Sequence, residues 1–365
     1  MTGPTFRRRE LLALLAAAPL PAPLGAPLGA PLAAAGAPGD LRRGINLTNW
    51  FRYPVSADPA ALAAHMPDAA MARLRQAGFD FVRLAVQPGF LLADLLRIDL
   101  LVASVRWLHG HGLAVIVDAH PEDWHLETSA ADRAALLGFW DRLAPRLAPL
   151  DTRMTVIEVL NEPVFAADPA GWAALQREAL ALIRHHLPGH RVLLTGNDWG
   201  SVNGLLATDP VDDPQVLYSI HFYDPSELTS LAAYRPGLDR AALARLPFPM
   251  TQDACAPAER TADQPTRALI RYVCALGWDT ARIAARLDAA AAWGARHRVR
   301  VLMGEFGASR RLNVPARLAW LAAVRQGCER NGMGWALWGY EDDMGFGIRT
   351  GAPPLDPAVL RALGM

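Results

Sequence analysis

Short β-branched runs alternate with Ala/Leu/Arg-rich segments of helical period, which predicts an α/β fold: a single-domain (β/α)8 TIM barrel with a long insertion after strand six. Three observations carry this prediction: eight candidate strands, a helical segment between successive strands, and 365 residues with no internal linker, enough for one large core. Strand alternating with helix implies parallel pairing, because parallel neighbours need a crossover.

The strand candidates are residues 44–48, 79–86, 113–119, 154–161, 191–196, 216–221, 299–305 and 333–338. Each is a short apolar run bounded by Gly, Pro, Asn or Asp, the residues that end strands in turns. Apolar positions recur with helical spacing over 59–76, 130–147, 171–186, 280–297 and 315–331. One connection is longer than a barrel needs. Residues 222–278 pass without a clear helical period, punctuated by Pro225, Pro236, Pro247, Pro249, Pro257 and Pro265. Following strand six, this insertion is expected over the C-terminal face of the barrel, as a wall or lid.

The first 38 residues read as an export signal and low-complexity spacer, leaving 39–365 for the barrel. Arg7, Arg8 and Arg9 precede the apolar run 11–20, and Ala33, Ala34 and Ala35 offer a cleavage site. Residues 5–12 also resemble a twin-arginine signal, so either a Sec or a twin-arginine route is expected, to the periplasm or outside the cell. The apolar run is too short to span a bilayer comfortably, so no stable membrane insertion is expected once the signal is removed. An oxidising compartment permits disulfides, and Cys255 and Cys274, close together in one segment, are the expected pair; Cys328 falls in a helical pattern and reads as packing.

Formal net charge is zero, and all 36 basic residues are Arg. No basic stripe marks a nucleic-acid binder, so uncharged partners fit better. The absence of Lys excludes Schiff-base, pyridoxal-phosphate and P-loop chemistry. Nothing signals an oligomer, so a monomer is expected.

Polar groups at the strand ends converge on one face of a barrel. They include Asn46, Asn49 and Trp50 from the first strand, Arg83 from the second, Asp118 and His120 from the third, and Asn161 and Glu162 from the fourth. The later strands deliver Asn197, Asp198 and Trp199, then His221 and Tyr223, then Glu305, then Trp338, Tyr340, Glu341 and Asp343. Two glutamates at two strand ends, Glu162 and Glu305, suit glycoside hydrolysis, which needs one protonated and one ionised carboxyl at the same pH. Arg83 supplies the difference if it lies nearer Glu305. Arg83 also fits an interior ion pair with Glu158, and both roles can hold together. Trp50, Trp124 and Trp199 each read equally as a sugar platform or as packing.

An ordered set of motifs resembles glycoside hydrolase family 5, the cellulase family of retaining barrel glycosidases. The set is Arg-Gly-Ile-Asn-Leu at 43–47, Val-Arg-Leu at 82–84, Val-Ile-Val-Asp-Ala-His at 115–120, Leu-Asn-Glu-Pro at 160–163, Ser-Ile-His-Phe-Tyr at 219–223, Gly-Glu-Phe-Gly at 304–307, and Trp338. The resemblance implies Glu162 as acid/base and Glu305 as nucleophile, with no cofactor and no metal. Asn161 would bond the sugar 2-hydroxyl, and Arg83 and Tyr223 would hold Glu305 ionised. His120 and His221 would bind sugar and orient Glu162, and Trp338 would stack on the sugar.

The implied activity is retaining, endoglucanase-like cleavage of a β-linked glucan or related exopolysaccharide. Exo-acting β-glucosidase or β-mannanase action on the same site is the alternative, because Pro121-Glu122-Asp123-Trp124-His125 and the segment 337–343 depart from the family pattern. Two further readings are a metal-dependent barrel hydrolase using Asp118, His120, His125, His221 and Asp224, and a non-catalytic polysaccharide-binding barrel.

Overall fold

The computed structural model describes residues 39–342, 345–349 and 355–365. The expected export segment 1–38 and Asp343 lie outside the described residues. Eight strands, β1 (Arg43–Phe51), β2 (Phe81–Val86), β3 (Ala114–Ala119), β4 (Thr155–Glu158), β5 (Arg191–Thr195), β6 (Val216–Phe222), β7 (Arg300–Phe306) and β8 (Gly334–Leu337), close a barrel in chain order. Every neighbouring pair is parallel, including β1 with β8. The fold is the (β/α)8 barrel that the alternation predicts.

Between the strands run α1 (Pro59–Ala63), α2 (Asp68–Ala77), α3 (Pro88–Leu92), α4 (Leu95–Gly110), α5 (Ala130–Leu147), α6 (Pro169–His186) and α7 (Val202–Leu206). After β6 come α8 (Ser226–Thr229), α9 (Arg240–Leu243), α10 (Gln252–Thr261), α11 (Gln264–Ala275) and α12 (Thr280–His297), followed by α13 (Val314–Arg330) and α14 (Pro357–Ala362). Their starts obey capping chemistry. Ser129, Asp168, Asp279 and Asn313 each accept a backbone N–H of the first turn, satisfying donors that a helix start leaves open.

The period-2 pleat divides the strands' side chains between two cores. Val82, Leu84, Val115, Val117 and Ile157 face the helices and join the main apolar cluster. Phe81, Ile116, Val156, Leu193, Leu217 and Leu302 face inward and plug the lower barrel. Gly44 makes room for that plug, since a Cβ there would stand 2.3 Å from the Phe81 ring. The next inward positions along the same strands are Arg83, Asp118 and Glu158, one layer above the plug. The alternation that builds the core therefore also delivers three charged groups to the barrel interior.

The insertion departs from expectation in its secondary structure. Residues 222–278 contain α8 to α11. Two of the prolines that argued against helix stand where a helix begins: Pro225 precedes α8, and Pro265 opens α11, where its missing N–H costs nothing, with Asp263 as cap; Pro257 lies inside α10. Cys255 on α10 and Cys274 on α11 form the disulfide, joining two helices rather than stapling an irregular loop. Cys328 is buried in α13. The insertion is tied to the loop after β7, with Ser309 N donating to Thr229 O and Asn313 Nδ2 to Leu246 O, both at 2.7 Å. Among the described residues, no helix is long and apolar enough to cross a membrane.

Candidate active site

Arg83 is the hub of the upper barrel. Its guanidinium is wholly buried, and a buried charge is tolerated only when paired and hydrogen-bonded. Nε and Nη2 donate to the two oxygens of Glu158 at 2.6 and 3.0 Å, and Nη1 donates to Glu305 Oε1 at 2.6 Å. Nη1 also reaches Asn46 Oδ1, Nη2 reaches Asn161 Oδ1, both at 3.0 Å, and Asp118 Oδ2 lies 3.1 Å from Nη2. Both sequence roles of Arg83, interior ion pair and partner of Glu305, therefore hold together. Three carboxylates share one cation. Burial pushes Glu158 up to about 7 and Asp118 up to about 6, against the pull of Arg83.

Burial alone would also raise the Glu305 carboxyl, but His221, Arg83 and His120, with the Tyr223 hydroxyl, outweigh it and hold it below the ordinary carboxylate value. Tyr223 Oη donates to Glu305 Oε2 at 2.8 Å. His221 Nδ1 lies 2.9 Å from Glu162 Oε1 and 3.5 Å from Glu305 Oε2, between the two glutamates. The imidazole is raised because Glu305 and Glu162 together overcome its burial. Gly304 allows this approach, since a Cβ there would meet Ser219 Oγ at 2.3 Å and His221 Nε2 at 3.1 Å.

The fourth strand was expected over 154–161, yet its ladder ends at Glu158. Beyond it, Val159 N bonds Leu193 O and Asn161 N bonds Ala119 O, so the chain stays pinned to both neighbouring strands while it turns. Glu162 then adopts φ 39°, a left-handed conformation that costs a β-carbon residue about 1–3 kcal/mol and concentrates at functional sites. One oxygen of Glu162, one of Glu305 and a ring nitrogen of His221 lie within 4.8 Å of one another.

His120 Nδ1 pairs with Asp118 Oδ2 at 2.7 Å, and its ring lies 5.8 Å from that of Trp338. Trp338 is 3% exposed, beneath the Arg52 guanidinium. Trp199, 57% exposed, stands at the rim on a left-handed stretch, 198–200, and lines the same cleft as Glu162 and the half-buried Trp124. Trp50 does not reach the site, which corrects its reading as a substrate-binding residue. Its indole is 2% exposed, donates to Leu62 O at 2.8 Å and stacks on His65, so it packs β1 against α1. The cleft encloses about 650 Å³. Sequence reasoning did not single out Arg52, Tyr53 and Glu127, which line it and lie in segments with no family motif.

The donor set proposed for a metal does not assemble. Asp118 is taken up by Arg83 and His120, while His221 faces the two glutamates. Among the described residues, Glu162, His221 and Glu305 have metal-ligand spacing, but Arg83 already sets a cation against Glu305.

A buried, Arg-braced carboxylate thus faces a half-buried one across a histidine at the C-terminal strand ends of a (β/α)8 barrel, the face on which barrels of this class carry their active sites. The family description "Cellulase (glycosyl hydrolase family 5)" matches residues 43–343, and the chain belongs to that family. Endoglucanase 3 of Fibrobacter succinogenes is 23% identical over 329 residues, covering 82% of this chain; the chain spans about half, 49%, of that relative's length. Endoglucanase C of Acetivibrio thermocellus is 22% identical over 320 residues, covering 82% of this chain and 91% of the relative. Among solved structures, a hyperthermophilic endo-β-1,4-glucanase in complex with substrate superposes with TM-score 0.72 at 20% identity, covering 90% of this chain and 98% of that one. The cellulose synthase subunit Z of Clostridioides difficile gives 0.72 at 22% identity, covering 88% and 99%.

Proposed function

We propose that the chain is a retaining β-glycoside hydrolase acting on a β-linked glucan or related exopolysaccharide. The approach of one oxygen of Glu162 to one of Glu305, within 4.8 Å, carries this reading, because it suits the close pair of carboxyls, about 5–5.5 Å apart, that double displacement uses, and leaves little room for the water that inversion places between them. Glu305 is the nucleophile: Arg83 and Tyr223 keep it ionised, and it attacks the anomeric carbon. Glu162 gives its proton to the departing glycosidic oxygen, leaving a glycosyl ester on Glu305. Glu162 then takes a proton from water, whose oxygen attacks the anomeric carbon and releases Glu305. The proton and the carboxylate are both restored.

His221 stands between the two carboxyls and Asn161 is held by Arg83, so that in this reading Asn161 would bond the sugar 2-hydroxyl and the His120 and Trp338 rings, in contact with each other, would bind the sugar. Trp199 and Trp124 supply aromatic faces along the cleft. The endoglucanase names of the relatives favour a polymeric substrate. Export to the periplasm or beyond is part of the proposal, supported by the N-terminal arginines with their apolar run and by a disulfide suited to an oxidising compartment. Product analysis of the purified chain on soluble β-glucans, β-mannans and aryl glycosides tests it. Turnover of at least one β-linked class supports the proposal, and inactivity on all of them overturns it.

A further inference from the structure

Arg52 leaves the end of β1 and meets Glu122 of the loop after β3, Nε to Oε1 at 3.2 Å. Its guanidinium also lies over two rings, 4.5 Å from the centroid of Tyr53 and 5.6 Å from that of Trp338. β1 and β3 are not neighbours; β2 stands between them, with Gln87 N bonded to Phe51 O and His120 N to Val86 O. The ion pair therefore crosses over the end of β2. Among the described residues, none that lines the cleft comes from the segment after β2.

The lining runs in barrel order from Arg52 and Tyr53, through the loops after β3 and β4, to Trp199 after β5. Among the described residues, Arg52 and Trp199 thus stand at opposite extremes of that order. Resting on the glycosidase reading, Glu162 on the β4 loop protonates the leaving oxygen, so the departing chain lies toward Trp199. The retained sugar lies toward Trp338 and Arg52.

We propose that the Arg52–Glu122 clasp is an end wall on the retained-sugar side, so that this cleft takes the end of a β-linked chain, or a short oligosaccharide, in preference to the interior of a polymer. The wall is firm for a surface pair. The Arg52 and Glu122 side chains are 15% and 32% exposed, and the two ring contacts restrict a guanidinium that is otherwise costly to hold in place. The charge of Arg52 is felt inside the site, where it stands next after burial in pushing the His120 imidazole down. A long chain can continue past Trp338 only if the clasp parts.

The test compares wild type, Arg52→Ala and Glu122→Ala on a soluble β-glucan or β-mannan that the wild type turns over and on a short aryl glycoside of the same sugar. The ratio of polymer to short-substrate kcat/KM should rise in both variants, by about two- to fivefold, the range that one such ion pair contributes. Longer products should appear early. An unchanged ratio and product ladder in either variant overturns the clasp. Wild-type inactivity on every β-glycoside overturns the underlying reading as well, so the two failures are distinguishable.

Discussion

Arg83 grips Glu158 by two hydrogen bonds, 2.6 and 3.0 Å long, inside the barrel, and presents its remaining edge to Glu305. Burial, which the grip only partly offsets, has a thermodynamic signature. Burial raises Glu158 from 4.5 to about 7 and Asp118 from 3.8 to about 6, so each carboxyl binds its proton more tightly in the folded chain than in the unfolded one. The stabilisation is full below pH about 4 and is lost as pH rises through 6 to 7. Melting temperature should fall between pH 5 and pH 8, and Glu158→Gln, which cannot ionise, should flatten that fall. Scanning calorimetry at several pH values checks this, and parallel curves for the two proteins would contradict it.

Tyr223 should tune the nucleophile. Removing its hydroxyl in Tyr223→Phe deprives Glu305 of a donor that favours the carboxylate, so the Glu305 pKa should rise. Because the attacking form is ionised, the acid limb of the kcat/KM profile should move to higher pH. The loss at the optimum should be about 1.5–3 kcal/mol, the range for a hydrogen bond to a charged group. An acid limb that stays in place would assign the limb to another group.

The two glutamates should fail differently. Glu305→Gln should abolish turnover on every substrate. Glu162→Ala should lose about 10²–10⁴-fold on substrates with poor leaving groups and much less on activated aryl glycosides, which depart without a proton. Steady-state rates across a series of leaving groups test the distinction, and equal losses along the series would remove Glu162 from the acid role.

The tryptophans should separate into packing and binding. Trp50→Ala empties a fully packed site and should cost about 3–5 kcal/mol of stability. Trp199→Ala, at an exposed rim, should change stability by less than about 0.5 kcal/mol while raising KM for polymer. Denaturant melts and saturation kinetics on both variants read the two effects.

The barrel was legible because its strands are β-branched runs with turn residues at each end. The two glutamates were legible because each stands in a short motif. Trp50 was not, since an indole at a strand end reads the same whether it faces the mouth or turns back beneath α1 to meet Leu62 O. The helices of the insertion were hidden by prolines, which are tolerated at a helix start, as at Pro265, and in α10 stand even within the helix, at Pro257. Arg52 and Glu122, 70 residues apart, meet only because β1, β2 and β3 end side by side. No local pattern encodes that meeting.

Retention through Glu305 is read most directly by proton NMR of the first product formed from a β-configured substrate, recorded before mutarotation. With a Glu305 nucleophile the β-anomer should appear first and decay to the equilibrium mixture. An α-anomer appearing first would contradict it, because the two carboxyls would then have to work across an intervening water.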